Sequence, residues 1–280
     1  MSYINWNPDL EIFSILGYPI RWYGLLWGIG LIAAYYIVAR IYRSNNTEGL
    51  KAEKLFMYCI FGVFIGARVA HCLFYDSSYF LSSWLHFAEI FIPVRFHPNG
   101  GFTYIGYAGL ASHGGVIGLI IALWSYCKRY KIKLMFVLDC VSIAAPFTAM
   151  TIRLGNLMNS EIIGCTTNVP WAFIFEKVDY VPRHPAQLYE AIFYFLVFVC
   201  EVFLYRKTKF GSSLGTGFFF GFCLITIFSF RFFIEFLKEV QVEFESSMIL
   251  DLGQLLSIPL ILIGTFFFYK SFTSNKIKND

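Results

Sequence analysis

The sequence predicts an all-α polytopic membrane protein with seven transmembrane helices, its N-terminus outside, its C-terminus inside and a small outer head. Three observations predict it. The chain has 280 residues, of which 58% are hydrophobic and only 14% charged, whereas soluble domains carry about 25% charged residues. Its apolar runs are too many and too long for one water-facing core. Its basic residues gather in alternate connections between those runs, as the positive-inside rule requires.

A bilayer core of about 30 Å needs about 20 apolar residues as helix. Seven segments qualify: residues 20–40, 55–75, 107–127, 134–153, 187–205, 214–236 and 251–269. The fourth and seventh contain Pro146 and Pro259, which membrane helices tolerate where neighbours satisfy the freed carbonyl. Arg40, Arg43, Lys51 and Lys54 follow the first span, and Lys128, Arg129, Lys131 and Lys133 separate the third from the fourth. Arg206, Lys207 and Lys209 separate the fifth from the sixth, and Lys270, Lys276 and Lys278 follow the seventh. These make 14 of the 22 Lys and Arg, all assigned to the inner side. The 76–106 connection holds only Arg95.

That aromatic-rich connection is expected to lie along the interface as a short amphipathic segment. Residues 154–186 form a second outer connection with the turn signals "TTNVPW" and "DYVPRHP". No repeat or interdomain linker is evident, so residues 1–280 read as a single membrane domain. No basic start or small-residue cleavage site precedes the first apolar run, and no removable signal peptide is expected. The seven cysteines show no CxxC or Cys/His spacing, so neither a disulfide framework nor a zinc site is expected. The sequence pI of about 8.6 reflects inner-side anchoring rather than a nucleic-acid partner.

Charges within the spans carry the functional reading. An arginine at bilayer centre costs roughly 2.5–3.5 kcal/mol on insertion scales and needs a partner or a wet cavity. Arg68 ("FIGARVAH") and Arg231 ("SFRFFIEF") fall inside spans, and Arg153 is read as closing the fourth. With the N-terminus outside, the late residues of outward-running spans lie near the outer face: Arg68, Arg153, Arg231 and Glu235. So do the early residues of inward-running spans: Tyr23, His113, Gln187, Glu190 and Gln254. One polar layer in the outer half of the membrane suggests a pocket rather than a conducting path. Arg231 and Glu235 are four apart, on one helix face. Glu190 suits the positive end of the helix opened by "RHPAQLYE". Lys238 and Arg183 are read as loop or outer-end residues. In "SHGGVIG", Gly114, Gly115 and Gly118 allow close helix approach, which leaves His113 unexplained by packing.

The ordered blocks "RWYGLLWGIG", "GARVAHCLFY", "SHGGVIGL", "RLGNLMNSEIIG", "RHPAQLYE", "RFFIEF" and "GQLLSIP" resemble the prolipoprotein diacylglyceryl transferase family from about residue 10 to 270. The resemblance implies transfer of a diacylglyceryl group from phosphatidylglycerol to the lipobox cysteine thiol of a preprolipoprotein, releasing glycerol phosphate. It places the enzyme in the bacterial cytoplasmic membrane with its site toward the periplasm. Carried over by motif, Arg153 and Arg231 match the phosphate-binding arginines, and Asn156, Glu161 and Gly164 share the first one's signature block. Tyr23 matches the first-span tyrosine, His113 the histidine of HGG, and Glu235 the acid one turn after the second arginine. Arg68 is a further candidate substrate-binding residue. Ser160 replaces a glycine common in the family, Ile227 stands where some members carry a tyrosine, and "EFLKEVQ" lacks a Pro–Asp found in some relatives. No cofactor is expected, because the lipid's phosphate is already a leaving group. The rival class is a lipid or small-molecule transporter. It would want a midplane site at broken helices of repeated halves, which the sequence does not display.

Overall fold

The computed structural model describes residues 3–15, 17–92, 94–97, 100–104, 109, 111–207, 213–239 and 248–276. Lys209, Lys278 and the expected start of the third span at 107 lie outside the described residues. The long helices are α1 (Trp22–Ser44), α2 (Gly49–Ala70), α5 (Ser112–Tyr130), α6 (Leu134–Asn159), α7 (Ala186–Arg206), α8 (Phe218–Ile234) and α9 (Leu252–Lys276), with short α3 (Ser77–Phe80) and α4 (Trp84–Ala88) between α2 and α5. Six are long and apolar enough to cross a membrane among the described residues. α5 is not among the six. It begins on Ser112, later than expected, and its Ser-His-Gly-Gly start and Lys-Arg end dilute a 19-residue run. The fold is therefore a mostly helical, polytopic membrane protein.

The segment before α1 and the connections between the long helices also carry short strands. Strands β1 (Ile4–Trp6), β2 (Glu11–Ile15), β3 (Tyr18–Arg21), β4 (Val94–Phe96), β5 (Phe102–Tyr104), β6 (Phe173–Phe175) and β7 (Pro182–Arg183) are short. At two to five residues, they are too brief for a period-2 pattern to register. β1 pairs parallel with β6, and β6 antiparallel with β7. The pairs β2–β3 and β4–β5 are antiparallel hairpins.

The chain divides into two compact units, Thr47–Leu134 and the remainder, Met1–Asn46 with Met135–Asp280. In the smaller unit α2 packs on α5 through facing glycines. A β-carbon at Gly62 would lie 2.7 Å from the Gly118 carbonyl oxygen, and one at Gly66 2.8 Å from the Gly118 Cα. Gly62 and Gly66, like Gly114 and Gly118, are one turn apart, so each helix offers a bare strip to the other. Gly115 is different: a β-carbon there would meet Val63 at an ordinary 3.5 Å. α2 ends in a π-helical turn, His71–Tyr75.

In the larger unit the head is built on apolar burial. Leu157, Ile163, Phe173 and Phe175 form a buried cluster against Trp6 and Leu188, and the Trp6 indole donates to the Leu157 carbonyl at 2.9 Å. This fastens the end of α6 to the β1–β6–β7 sheet. At the start of α8, the Asp139 carboxylate of α6 accepts the backbone N–H groups of Gly215, Gly217 and Phe220 at 2.8, 3.0 and 2.9 Å. It satisfies donors that a helix start leaves open. α9 opens with a reciprocal cap: Gln254 N–H donates to the Asp251 carboxylate at 2.7 Å, and Asp251 N–H to the Gln254 side-chain oxygen at 3.2 Å.

α6 runs six residues beyond the expected span end at 153 and stops at Asn159. Ser160 then turns left-handed at φ +56°, and Ile162 follows at φ +55°. Only glycine adopts that region without strain, and a β-branched residue there is an outlier. The Ser160 hydroxyl is also buried without a hydrogen-bond partner among the described residues. The strain explains on physical grounds why glycine suits this step.

Two stability outcomes are expected from thermal unfolding in detergent, read by a thiol dye on the buried cysteines. Ser160→Gly raises the midpoint, worth about 1 kcal/mol from relieved backbone strain. An unchanged or lowered midpoint contradicts the strain reading. Gly118→Leu lowers it, by about 1–3 kcal/mol or more from overpacking, whereas Gly115→Ala has little effect. Equal tolerance at both glycines contradicts the packing account.

Candidate active site

Arg153 sits a turn and a half before the end of α6, inside the helix rather than closing it. Its Nε lies 3.2 Å from Oε2 of Glu190, in the first turns of α7. Glu190 is fully buried. A lone carboxylate there would be costly, so a helix N-terminus is not the whole reason for it. Oε1 of Glu190 accepts from the Tyr194 hydroxyl at 3.2 Å and from the Lys238 ammonium at 3.3 Å. Lys238 donates in turn to Oε1 of Glu235 at 3.2 Å. The same oxygen lies 3.5 Å from Nη2 of Arg231. The result is one chain of alternating charge, Arg153–Glu190–Lys238–Glu235–Arg231, drawn from α6, α7 and the end of α8.

The geometry of each member follows from its place in the sequence. Arg231 and Glu235 meet because four residues make one turn, with Glu235 opening a 3-10 turn (Glu235–Leu237) after α8. Lys238 follows that turn and is pinned by backbone pairing. It bridges Gly164 in antiparallel fashion, Cys165 N–H donates to the Leu237 carbonyl at 2.8 Å, and Glu239 N–H to the Ile163 carbonyl at 3.1 Å. Gly164 fits this seam because it has no side chain: a β-carbon would lie 2.7 Å from the Leu237 carbonyl oxygen. Gly253 of α9 backs Glu235, where a β-carbon would fall 3.0 Å from its Cγ.

The rest of the signature block assembles around Arg153. Its Nη1 donates to the Asn156 side-chain oxygen at 3.3 Å, and the Asn156 amide donates to Glu161 at 3.2 Å. Asn159 donates to the other Glu161 oxygen at 3.1 Å. Glu161 itself is exposed, and the buried Gln187 donates to its backbone carbonyl. Tyr23, at the start of α1, packs its ring on Gly155, where a β-carbon would lie 2.8 Å from the ring edge. Gln254 donates to the Phe232 carbonyl at 3.2 Å, one residue past Arg231.

A second network holds the loop before α7 beside this array. Arg183 donates to Asp179 at 2.6 and 2.9 Å, to Glu239 at 2.6 Å and to the Gly164 carbonyl at 3.3 Å. These bonds from Arg183 hold the Asp179 carboxyl below the usual carboxylate range. Burial pushes His184 below the ordinary histidine value.

Tyr23, Arg153, Asn156, Glu161, Gly164, Arg231 and Glu235 are thus gathered in the larger unit. Arg68 and His113 belong to the smaller one. Arg68 is buried, donates to the backbone carbonyls of Glu89 and Ile90 at 3.0 and 3.3 Å, and lies 5.1 Å from the Phe80 ring centre. These bonds tie α2 to the turn after α4. His113 lies in the first turn of α5 and is exposed. Sequence reasoning missed Lys238, which reads as a loop lysine and is 3% exposed at its side chain. The spacing Arg231–Glu235–Lys238, an acid with one base four residues before it and another three residues after it, was the available signal.

Chemically, the array offers guanidinium N–H groups beside a fixed set of counter-charges. Arg231 is a third exposed at its side chain. Such groups bind phosphate oxygens with charge-assisted, often bidentate bonds.

The comparisons with known proteins agree in kind. The family model for prolipoprotein diacylglyceryl transferase matches residues 11–270. The chain is 56% identical over 266 residues to the phosphatidylglycerol–prolipoprotein diacylglyceryl transferase of Bacteroides fragilis, covering 95% of this chain and 94% of the relative. It is 40% identical over 271 residues to the protein of that name in Chloroherpeton thalassium, covering 96% and 95%. With the Porphyromonas gingivalis protein of that name it shares 39% over 278 residues, covering 94% and 93%. The chain belongs to the prolipoprotein diacylglyceryl transferase family.

Proposed function

We infer that this chain is a transferase that moves the diacylglyceryl group of phosphatidylglycerol onto the lipobox cysteine thiol of prolipoproteins. The thiol sulfur bonds to the terminal glyceryl carbon of the lipid, and the bond from that carbon to the phosphate ester oxygen breaks. Glycerol phosphate leaves with the electron pair, and the thiol proton passes to a base. The observation that carries the site assignment is the charge chain joining Arg153 to Arg231 through Glu190, Lys238 and Glu235.

Each residue's role follows from the two demands of this reaction. The leaving phosphate gains negative charge as the carbon–oxygen bond stretches. Arg153 and Arg231 stabilise it with donors already in place, which is where aimed N–H groups lower a barrier most. A free thiol has a pKa of about 8.5 and is mostly protonated near neutral pH. His113 is the proposed base, since a positioned imidazole can take up the thiol proton. Asn156 and Glu161 brace Arg153, Tyr23 lines the same helix end, and Gly164 lets the outer seam close over Lys238.

The orientation proposed is N-terminus periplasmic and C-terminus cytoplasmic, in the bacterial cytoplasmic membrane, with the site toward the periplasm. Its support is the gathering of basic residues after α1, between α5 and α6, after α7 and at the end of α9. α5 is proposed as the remaining span, making seven.

Purified protein, phosphatidylglycerol and a lipobox peptide test this reading. The thioether-linked lipopeptide is expected by mass, and lipid flux without it would support a transporter instead. Arg153→Ala and Arg231→Ala each lose about 10²-fold or more in turnover, the typical loss for an aimed donor, while still inserting in the membrane. Normal turnover by either variant removes the phosphate role. His113→Asn flattens the acid limb of the pH–rate profile, and an unchanged profile excludes His113 as the base.

A further inference from the structure

The three cations and two carboxylates of the charge chain do not balance. Arg153 faces Glu190, and Arg231 faces Glu235. Without Lys238 each arginine would be matched by one carboxylate, leaving an array with no excess charge to attract a phosphodiester. Lys238 supplies that excess, yet its side chain is 3% exposed and its ammonium is engaged by both carboxylates, so it does not reach a ligand itself. The neighbouring charges do not cancel it. Glu161 joins only through the Asn156 amide and faces solvent, where its field is screened. Glu239 is taken up by Arg183.

We propose that Lys238 is a positioning residue for the lipid headgroup. It draws the charge of Glu190 and Glu235 away from the arginines and leaves both guanidinium groups free to bind phosphate, so that it sets affinity for phosphatidylglycerol rather than for the peptide. The proposal rests on the reading of Arg153 and Arg231 as the phosphate site.

Steady-state kinetics with phosphatidylglycerol vesicles and a lipobox peptide test it. Lys238→Met raises the KM for the lipid about 10-fold or more, as loss of one partner of a buried charge pair does. The inhibition constant of glycerol phosphate rises in step, and the peptide KM stays unchanged. Lys238→Arg restores the lipid KM to within about threefold, since it keeps the charge. A wild-type lipid KM in K238M overturns the proposal, as does a parallel rise of both KM values that K238R does not relieve. If K238M fails to fold, Lys238→Gln carries the test, because it keeps a hydrogen-bond donor for both carboxylates and removes only the charge. Its lipid KM is expected to rise about 10-fold or more with the peptide KM unchanged, and a wild-type lipid KM in K238Q overturns the proposal. Arg153→Ala, run alongside, separates the two ideas. Retained turnover there removes the site itself, whereas lost turnover there with a wild-type lipid KM in K238M removes only the role of Lys238.

Discussion

The pairing of Glu190 with both Arg153 and Lys238 is the interaction on which the larger unit depends. A carboxylate with no exposure is tolerable only if its charge is matched on the spot. That requirement ties α6 to α7 through Arg153, and α7 to the end of α8 through Lys238. It also fixes where the chain must turn after α8, because Lys238 reaches Glu190 only if the 3-10 turn follows Ile234 at once. The backbone seam from Ile163 to Cys165 against Leu237 to Glu239 then closes over it. Breaking one partner of such a buried pair is costly, about 3–5 kcal/mol, so the array holds its geometry before a ligand arrives. Preorganisation of this kind is what an electrostatic catalyst needs, since donors that must first reorient contribute less.

Strain and bareness are concentrated beside the array. Two non-glycine residues with positive φ, Ser160 and Ile162, lie between Asn156 and Gly164. Gly155 admits the Tyr23 ring, and Gly164 admits the Leu237 carbonyl. The segment after α6 therefore changes direction sharply within a few residues. That turn lets Glu161 fold back to take both asparagine amides. Strained backbone persists only where surrounding contacts over-determine it. Here the surrounding contacts are the Trp6–Leu157 bond and the Phe173–Phe175 cluster.

Much of this was legible in the sequence, for physical reasons. Helices that cross lipid must be long, apolar and internally hydrogen-bonded, so the six spanning helices follow hydropathy to within a few residues at most ends. The end of α6 was misjudged because an arginine looks like a boundary, whereas Arg153 is neutralised by a partner on another helix and the helix continues past it. Glu190 and Lys238 were read locally, as a helix-end acid and a loop base, because their pairing spans 48 residues of sequence. The three-residue strand β1 depends on a parallel partner at Phe173–Phe175, and no local pattern announces such a pairing. Arg68 donates to the backbone carbonyls of Glu89 and Ile90, a pairing 21 and 22 residues away that its own span does not announce.

The central claim is that one phosphate is held by two guanidinium groups set by this charge chain. An experimental structure with a non-reactive ether analogue of phosphatidylglycerol bound tests it most directly. The account predicts the analogue's phosphate within hydrogen-bond reach of both Arg153 and Arg231, with Lys238 still bonded to Glu190 and Glu235. A phosphate seated elsewhere and touching neither arginine would contradict it.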